Sequence, residues 1–204
     1  MGIAKPNSYD QTQALGDFVP LDLGGHDLVI KEVKDMTNKN GQPMIKVSFD
    51  TADNDKQPHY FADQFRNDIR PEKKWPNNGT TYININDQNG VCSRNFKTFC
   101  TSVEKSNAGF SIQWGDGFCA CFKNKHVGGI FGIEKGFYNG KDTNQHKLRW
   151  FRSVDKALSA EIPDPVETAE YKAAHNVGGV AASPAGSDGF MNIPDTGDDE
   201  LPFA

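Results

Sequence analysis

Apolar residues in this chain recur with a period of two, switch once to a period near 3.6, and then return to two, which restricts the folds open to it. Leu28 to Val33 is apolar and β-branched. Pro43 to Thr51 repeats that character after Asn38-Lys39-Asn40-Gly41, whose Asn-Gly pair signals a hairpin. In the second run Ile45, Val47 and Phe49 alternate with Lys46, Ser48 and Asp50, so one face should be buried and the other wet. A third strand is predicted from Tyr60 to Arg66, with Phe61 and Phe65 on one side and Tyr60, Gln64 and Arg66 on the other. Thr80 to Asn86 reads as a shorter fourth piece. Phe96, Phe99, Cys100 and Val103 then fall at i, i+3, i+4 and i+7, which predicts a helix from about Arg94 to Lys105, ended by Asn107 to Gly109. Strand character returns at Val127 to Phe137 and at Lys147 to Val154, joined through Asn139-Gly140 as a second hairpin.

A mainly β fold follows. The order strand, strand, strand, helix, strand, strand is that of the OB-fold, a five-stranded Greek-key barrel with one helix between strands 3 and 4. Thr80 to Asn86 would then be an insertion or an extension of the long connection. SH3-like and other small barrels use similar short hairpins, so order alone does not decide among them.

Charge divides the chain in two. Residues 1–160 carry 21 Lys/Arg against 18 Asp/Glu, and residues 161–204 carry 1 against 9, so a mildly basic body precedes an acidic tail. We read 1–160 as one nucleic-acid-binding domain and 161–204 as a linker and partner-binding tail. Asp164 to His175 is expected to form a short helix, with Asp164 as N-cap and Pro165 at its first position. Val177 to Gly189 is Gly, Ala, Ser and Val with one Pro, a composition expected to stay flexible because it buries too little to fold. No apolar run approaches the roughly 20 residues of a membrane span, and no basic-then-apolar leader is seen. A cytoplasmic protein without a membrane partner is the expectation, its oligomeric state left open.

Motifs for catalysis are missing. The chain holds no Walker loop, no His-Glu-x-x-His, no Gly-x-Ser-x-Gly and no dinucleotide fingerprint, and Gly128-Gly129-x-x-Gly132 fits a bent strand better. Asp53-Asn54-Asp55 starts like a calcium loop but has Pro58 where glycine should fall. Cys119-x-Cys121 with His126 offers soft ligands, yet Cys92-x7-Cys100 lacks zinc spacing, so buried thiols are the expectation and neither a metal nor a cofactor is assigned. The chain is read as a non-enzyme.

Barrels that hold single strands line a groove with cations and exposed aromatics. In the last strand Lys147, Arg149 and Phe151 alternate with Leu148 and Trp150, giving one face two cations and an aromatic. The competing reading puts Phe151 in the core. Trp75 lies in the polar, proline-bounded loop Arg70-Pro71-Glu72-Lys73-Lys74-Trp75-Pro76, where it either stacks on a base beside Lys73 and Lys74 or folds back over the barrel end. Strand phase also directs Tyr60, Arg66, Lys135 and Tyr138 outward.

Gly197-Asp198-Asp199-Glu200-Leu201-Pro202-Phe203 resembles the acidic tip of bacterial single-stranded DNA-binding proteins, in which acids precede an Ile/Leu-Pro-Phe end. Here Ala204 follows the Phe, a departure from that pattern. Val127 to Gly132 and Lys147 to Ser153 are similar to phage-encoded proteins of the same role. The resemblance implies a protein that binds and protects single-stranded DNA during replication, recombination and repair. It also implies that Asp198, Asp199, Glu200, Leu201, Pro202 and Phe203 recruit partner enzymes, Pro202 and Phe203 filling an apolar pocket and the acids meeting basic groups around it. A non-enzymatic adaptor, or an RNA-binding barrel, whose tail recruits partners is the alternative.

Overall fold

The computed structural model describes residues 2–7, 9–11 and 19–175. Their main structure is a six-stranded sheet of strands β1 (Gly24–Thr37), β2 (Pro43–Thr51), β3 (Thr80–Asn84), β4 (His126–Tyr138), β5 (Lys141–Arg152) and β6 (Val166–Glu167). The sheet path is β3-β2-β1-β4-β5, antiparallel throughout, with β6 a short parallel addition to β4. Helices α1 (Tyr60–Arg66), α2 (Arg94–Ser106), α3 (Phe118–Cys121), α4 (Val154–Leu158) and α5 (Ala169–His175) lie in the connections and at the end. No helix among the described residues is long and apolar enough to cross a membrane.

Both Asn-Gly signals mark hairpins. Asn139 and Gly140 have φ of 50° and 76° and link Tyr138 to its partner Lys141, the two-residue turn whose left-handed residues match strand twist. The first hairpin is longer: Asn38 Oδ1 accepts from the amides of Asn40 and Gln42 at 2.8 and 2.9 Å, and Thr37 pairs with Pro43. The helical stripe also forms as expected. Ser93 caps α2 by accepting from the Phe96 amide at 3.1 Å, and Phe96, Phe99, Cys100 and Val103 are buried.

The core centres on Phe49 of β2, whose ring meets Phe61, Phe131 and Phe151 edge-on at centroid distances of 5.6, 6.3 and 6.2 Å. Phe99 joins α2 to this group through Phe151 and Phe122, each at 5.1 Å. Beneath one end, His26 is wholly buried, with Nδ1 2.9 Å from Asp55 Oδ1 and Nε2 2.9 Å from the Asp22 carbonyl.

Three expectations are corrected. Tyr60 to Arg66 is helix α1, not a strand, because Phe61 and Phe65 at i and i+4 satisfy both periods and a tertiary contact decides between them. That contact is buried Asp50, whose Oδ1 accepts from the amides of Phe61 and Ala62 at 2.9 and 3.2 Å and so satisfies helix-end donors from outside the segment. The third long-path strand is Thr80–Asn84, which pairs with β2 from Ser48↔Thr80 to Met44↔Asn84 and is no insertion. The helix expected from Asp164 starts at Ala169 instead. Val166–Glu167 is captured by the edge of β4 opposite Glu134 and Lys135, and the Thr168 hydroxyl accepts from the Tyr171 amide at 3.2 Å.

Candidate nucleic-acid interface

Strands β3 and β5 end the sheet path, and the same clefts run between them. The first, about 410 Å³, is lined by Tyr82 and Ile83 of β3, Asn95 and Thr98 of α2, and Leu148 to Phe151 of β5. A second, about 820 Å³, shares Thr81, Tyr82 and Leu148 with the first and adds Asn77, Asn78, Gln145 and Lys147. The third, about 1120 Å³, shares Asn77, Asn78 and Gln145 with the second and extends to Gln64, Asn67, Arg70 and Lys74. Shared walls make the three one continuous track.

A backbone irregularity sets the chemistry of its first end. Ile130 pairs with Trp150 but the next β4 residue, Phe131, pairs with Leu148, so Arg149 is an extra residue in β5. This bulge resets the alternation. Phe151 turns into the core, at 5% exposure, and Trp150 turns outward at 39%, the reverse of the strand-phase expectation. The Arg152 guanidinium lies 5.9 Å from the centre of the Trp150 ring. Tyr82, on the facing strand, is 56% exposed and pairs with Lys46 of β2, a half-buried lysine on the same outer face. Gly132 leaves room for the stem of Arg149: an added Cβ would lie 3.1 Å from its Cγ and 2.7 Å from a Pro163 ring carbon.

The expected binding residues divide between this track and other surroundings. Lys74, Lys147 and Arg149 line it. Arg149, Lys74 and Lys46 have no ion-pair partner among the described residues, whereas Lys147 pairs with Glu134 across the β4–β5 ladder. Phe151 belongs to the core and is withdrawn as a stacking residue. Trp75 folds back: its Nε1 donates to the Gly79 carbonyl at 3.0 Å and its ring packs beside Phe65 at 5.7 Å, half-buried on the core margin. Tyr60 is likewise half-buried, its ring 5.1 Å from Phe61, and burial raises its phenol above the usual value against the lowering contacts from Leu21 and Gln64. Arg66 is exposed and bonds Asp63 at 2.6 Å, and Lys73 donates to the Arg66 carbonyl at 2.7 Å. On the other side of the sheet path, Lys135 lies 3.6 Å from Glu167 and over the Tyr171 ring, while Tyr138 is 72% exposed at the β4–β5 turn.

Sequence reasoning missed Tyr82, Trp150 and Lys46. Tyr82 and Lys46 were legible as outward members of alternating runs. For Trp150 the one signal was the three-residue spacing of Leu148 and Phe151, both packed at the core, which a regular strand cannot provide.

At the third cleft, hydrogen bonds from the Arg70 guanidinium and backbone hold the Asp68 carboxyl well below the ordinary carboxylate range, and the same pair raises Arg70. Among the four cysteines Cys100 is buried on α2, and burial pushes its thiol up to about 12. His126 bonds Asp27 at 2.9 Å, and among the described residues no three His, Cys, Asp or Glu side chains converge to hold a metal ion. The tip residues Asp198, Asp199, Glu200, Leu201, Pro202 and Phe203 lie outside the described residues. Compared with known proteins, the chain matches no family model and no curated protein.

Proposed function

We propose that this chain binds single-stranded DNA along the β3–β5 track, with little sequence preference at its aromatic end, and recruits partner proteins through its acidic C-terminal tip. The observation that carries this reading is the pairing of outward Tyr82 and Trp150 with Arg149 around one cleft. Two aromatic faces offer stacking platforms that suit any base, worth about 1–3 kcal/mol per base, and neighbouring cations neutralise the phosphates. In this reading the sheet is an OB-like, partly open Greek-key barrel. Support comes from α2 lying between β3 and β4 and from the two ends of the sheet path flanking the same opening.

Fluorescence anisotropy with labelled oligo-dT, RNA and duplex DNA at two salt concentrations tests the proposal. Single-stranded DNA should bind more tightly than duplex, with log affinity falling by about 0.7 per neutralised phosphate for each unit of log salt. Tyr82→Ala and Trp150→Ala should each weaken binding about 5- to 100-fold at unchanged melting temperature. Preference for RNA would favour the RNA-binding alternative, and absence of binding to all three would favour an adaptor.

A further inference from the structure

The far end of the track is chemically unlike the near end. Its walls carry no exposed aromatic ring, and Arg70 is held bidentate by Asp68 at 2.8 and 2.6 Å, which leaves Lys74 as its one cation without an ion-pair partner among the described residues. What it presents instead is carboxamide. Asn77, Asn78 and Gln145 line both the second and third clefts, and none of their side chains has a hydrogen-bond partner among the described residues.

The amides also sit on a fixed support. Asn77 and Asn78 lie in a 3-10 turn closed by the Gly79 amide donating to the Pro76 carbonyl at 3.0 Å. The Trp75 indole clasps the same turn through Gly79, and the chain passes at once into the β3 ladder at Thr80. A side chain on such a turn loses little freedom on binding, which favours specific hydrogen bonds.

Resting on the single-stranded DNA reading, we propose that Asn77, Asn78 and Gln145 form a base-reading subsite that hydrogen-bonds the edge of an adenine. A carboxamide places one donor and one acceptor side by side. Adenine answers with N7 and its N6 amino group, whereas guanine offers two acceptors on that edge, cytosine a donor, and thymine an acceptor beside a methyl group. The chain would thus tolerate any sequence at its aromatic end and favour adenine at one position near the other.

The test is an anisotropy scan with oligo-dT of about 15 nucleotides, within the usual site size of such barrels, carrying a single dA at each position in turn. Wild-type protein should bind about 5- to 10-fold more tightly when the dA falls at one position. The double variant Asn77→Ala/Asn78→Ala should bind plain oligo-dT as wild type does, melt at the same temperature, and show a flat scan. A flat scan with wild type, or a preference retained by the variant, overturns the subsite and leaves single-strand binding standing. Failure of wild type to bind plain oligo-dT overturns both.

Discussion

Truncating Trp150 or Phe151 removes a large ring from adjacent positions, but the two losses fall on different properties. Phe151→Ala empties a site between Phe49 and Phe99 and should cost about 3–5 kcal/mol of stability, read by denaturant unfolding. Trp150→Ala should leave unfolding nearly unchanged and weaken DNA binding, since that ring is outward. Equal destabilisation by both would contradict the register at Arg149. Asp55 supplies a pH signature at the same scale. Burial works against its carboxylate, but the His26 hydrogen bond and the amides of Gln57 and Asp27 hold its pKa below the ordinary value. Its contribution to stability is therefore complete above about pH 4 and lost as pH falls further through the folded-state value. Melting temperatures of wild type should drop between about pH 5 and pH 3, and Asp55→Asn should start lower and descend less. Parallel descents would remove Asp55 from this role.

The elements show which local signals suffice and which do not. Both Asn-Gly hairpins and helix α2 were legible because their signals are local: left-handed turn residues, a Ser cap, an apolar stripe of one period. Helix α1 was not, since Phe61 and Phe65 fit either period and the deciding hydrogen bonds come from Asp50, on another strand. The bulge in β5 was hidden for a similar reason, being a property of how β5 meets β4. Half of the candidate site was lost with it. Lys74, Lys147 and Arg149 were found by charge, but Trp150 was assigned to the wrong face. The β4–β5 ladder also restrains the interface, because Glu134 neutralises Lys147. Glu134→Gln should free that lysine and tighten single-strand binding a few-fold at low salt, with the gain fading as salt screens it. An unchanged affinity would exclude Lys147 from the phosphate path. Elsewhere on β1, a Cβ at Gly25 would lie 1.8 Å from the Ala157 carbonyl oxygen, so Gly25→Ala should displace α4 and cost about 1–3 kcal/mol without altering base preference.

Across the whole molecule, charge and shape point in one direction. The body carries a small basic excess, and three of its lysines and arginines without ion-pair partners among the described residues, Lys46, Lys74 and Arg149, lie on the track or beside Tyr82. The tail holds the opposite charge, 9 acids against 1 base over residues 161–204. Deleting residues 190–204 should accordingly raise single-strand affinity at low salt if the tail competes for those cations, and an unchanged affinity would exclude that competition. The most direct test of the central claim, that Trp150 is a stacking platform in the β3–β5 cleft, uses a variant in which it is the one remaining tryptophan, with Trp75→Phe and Trp114→Phe. Titrated with oligo-dT, its fluorescence should be quenched in step with the anisotropy change, with saturation at the same oligonucleotide concentration. Saturable binding that leaves the emission of Trp150 unaltered would contradict the account.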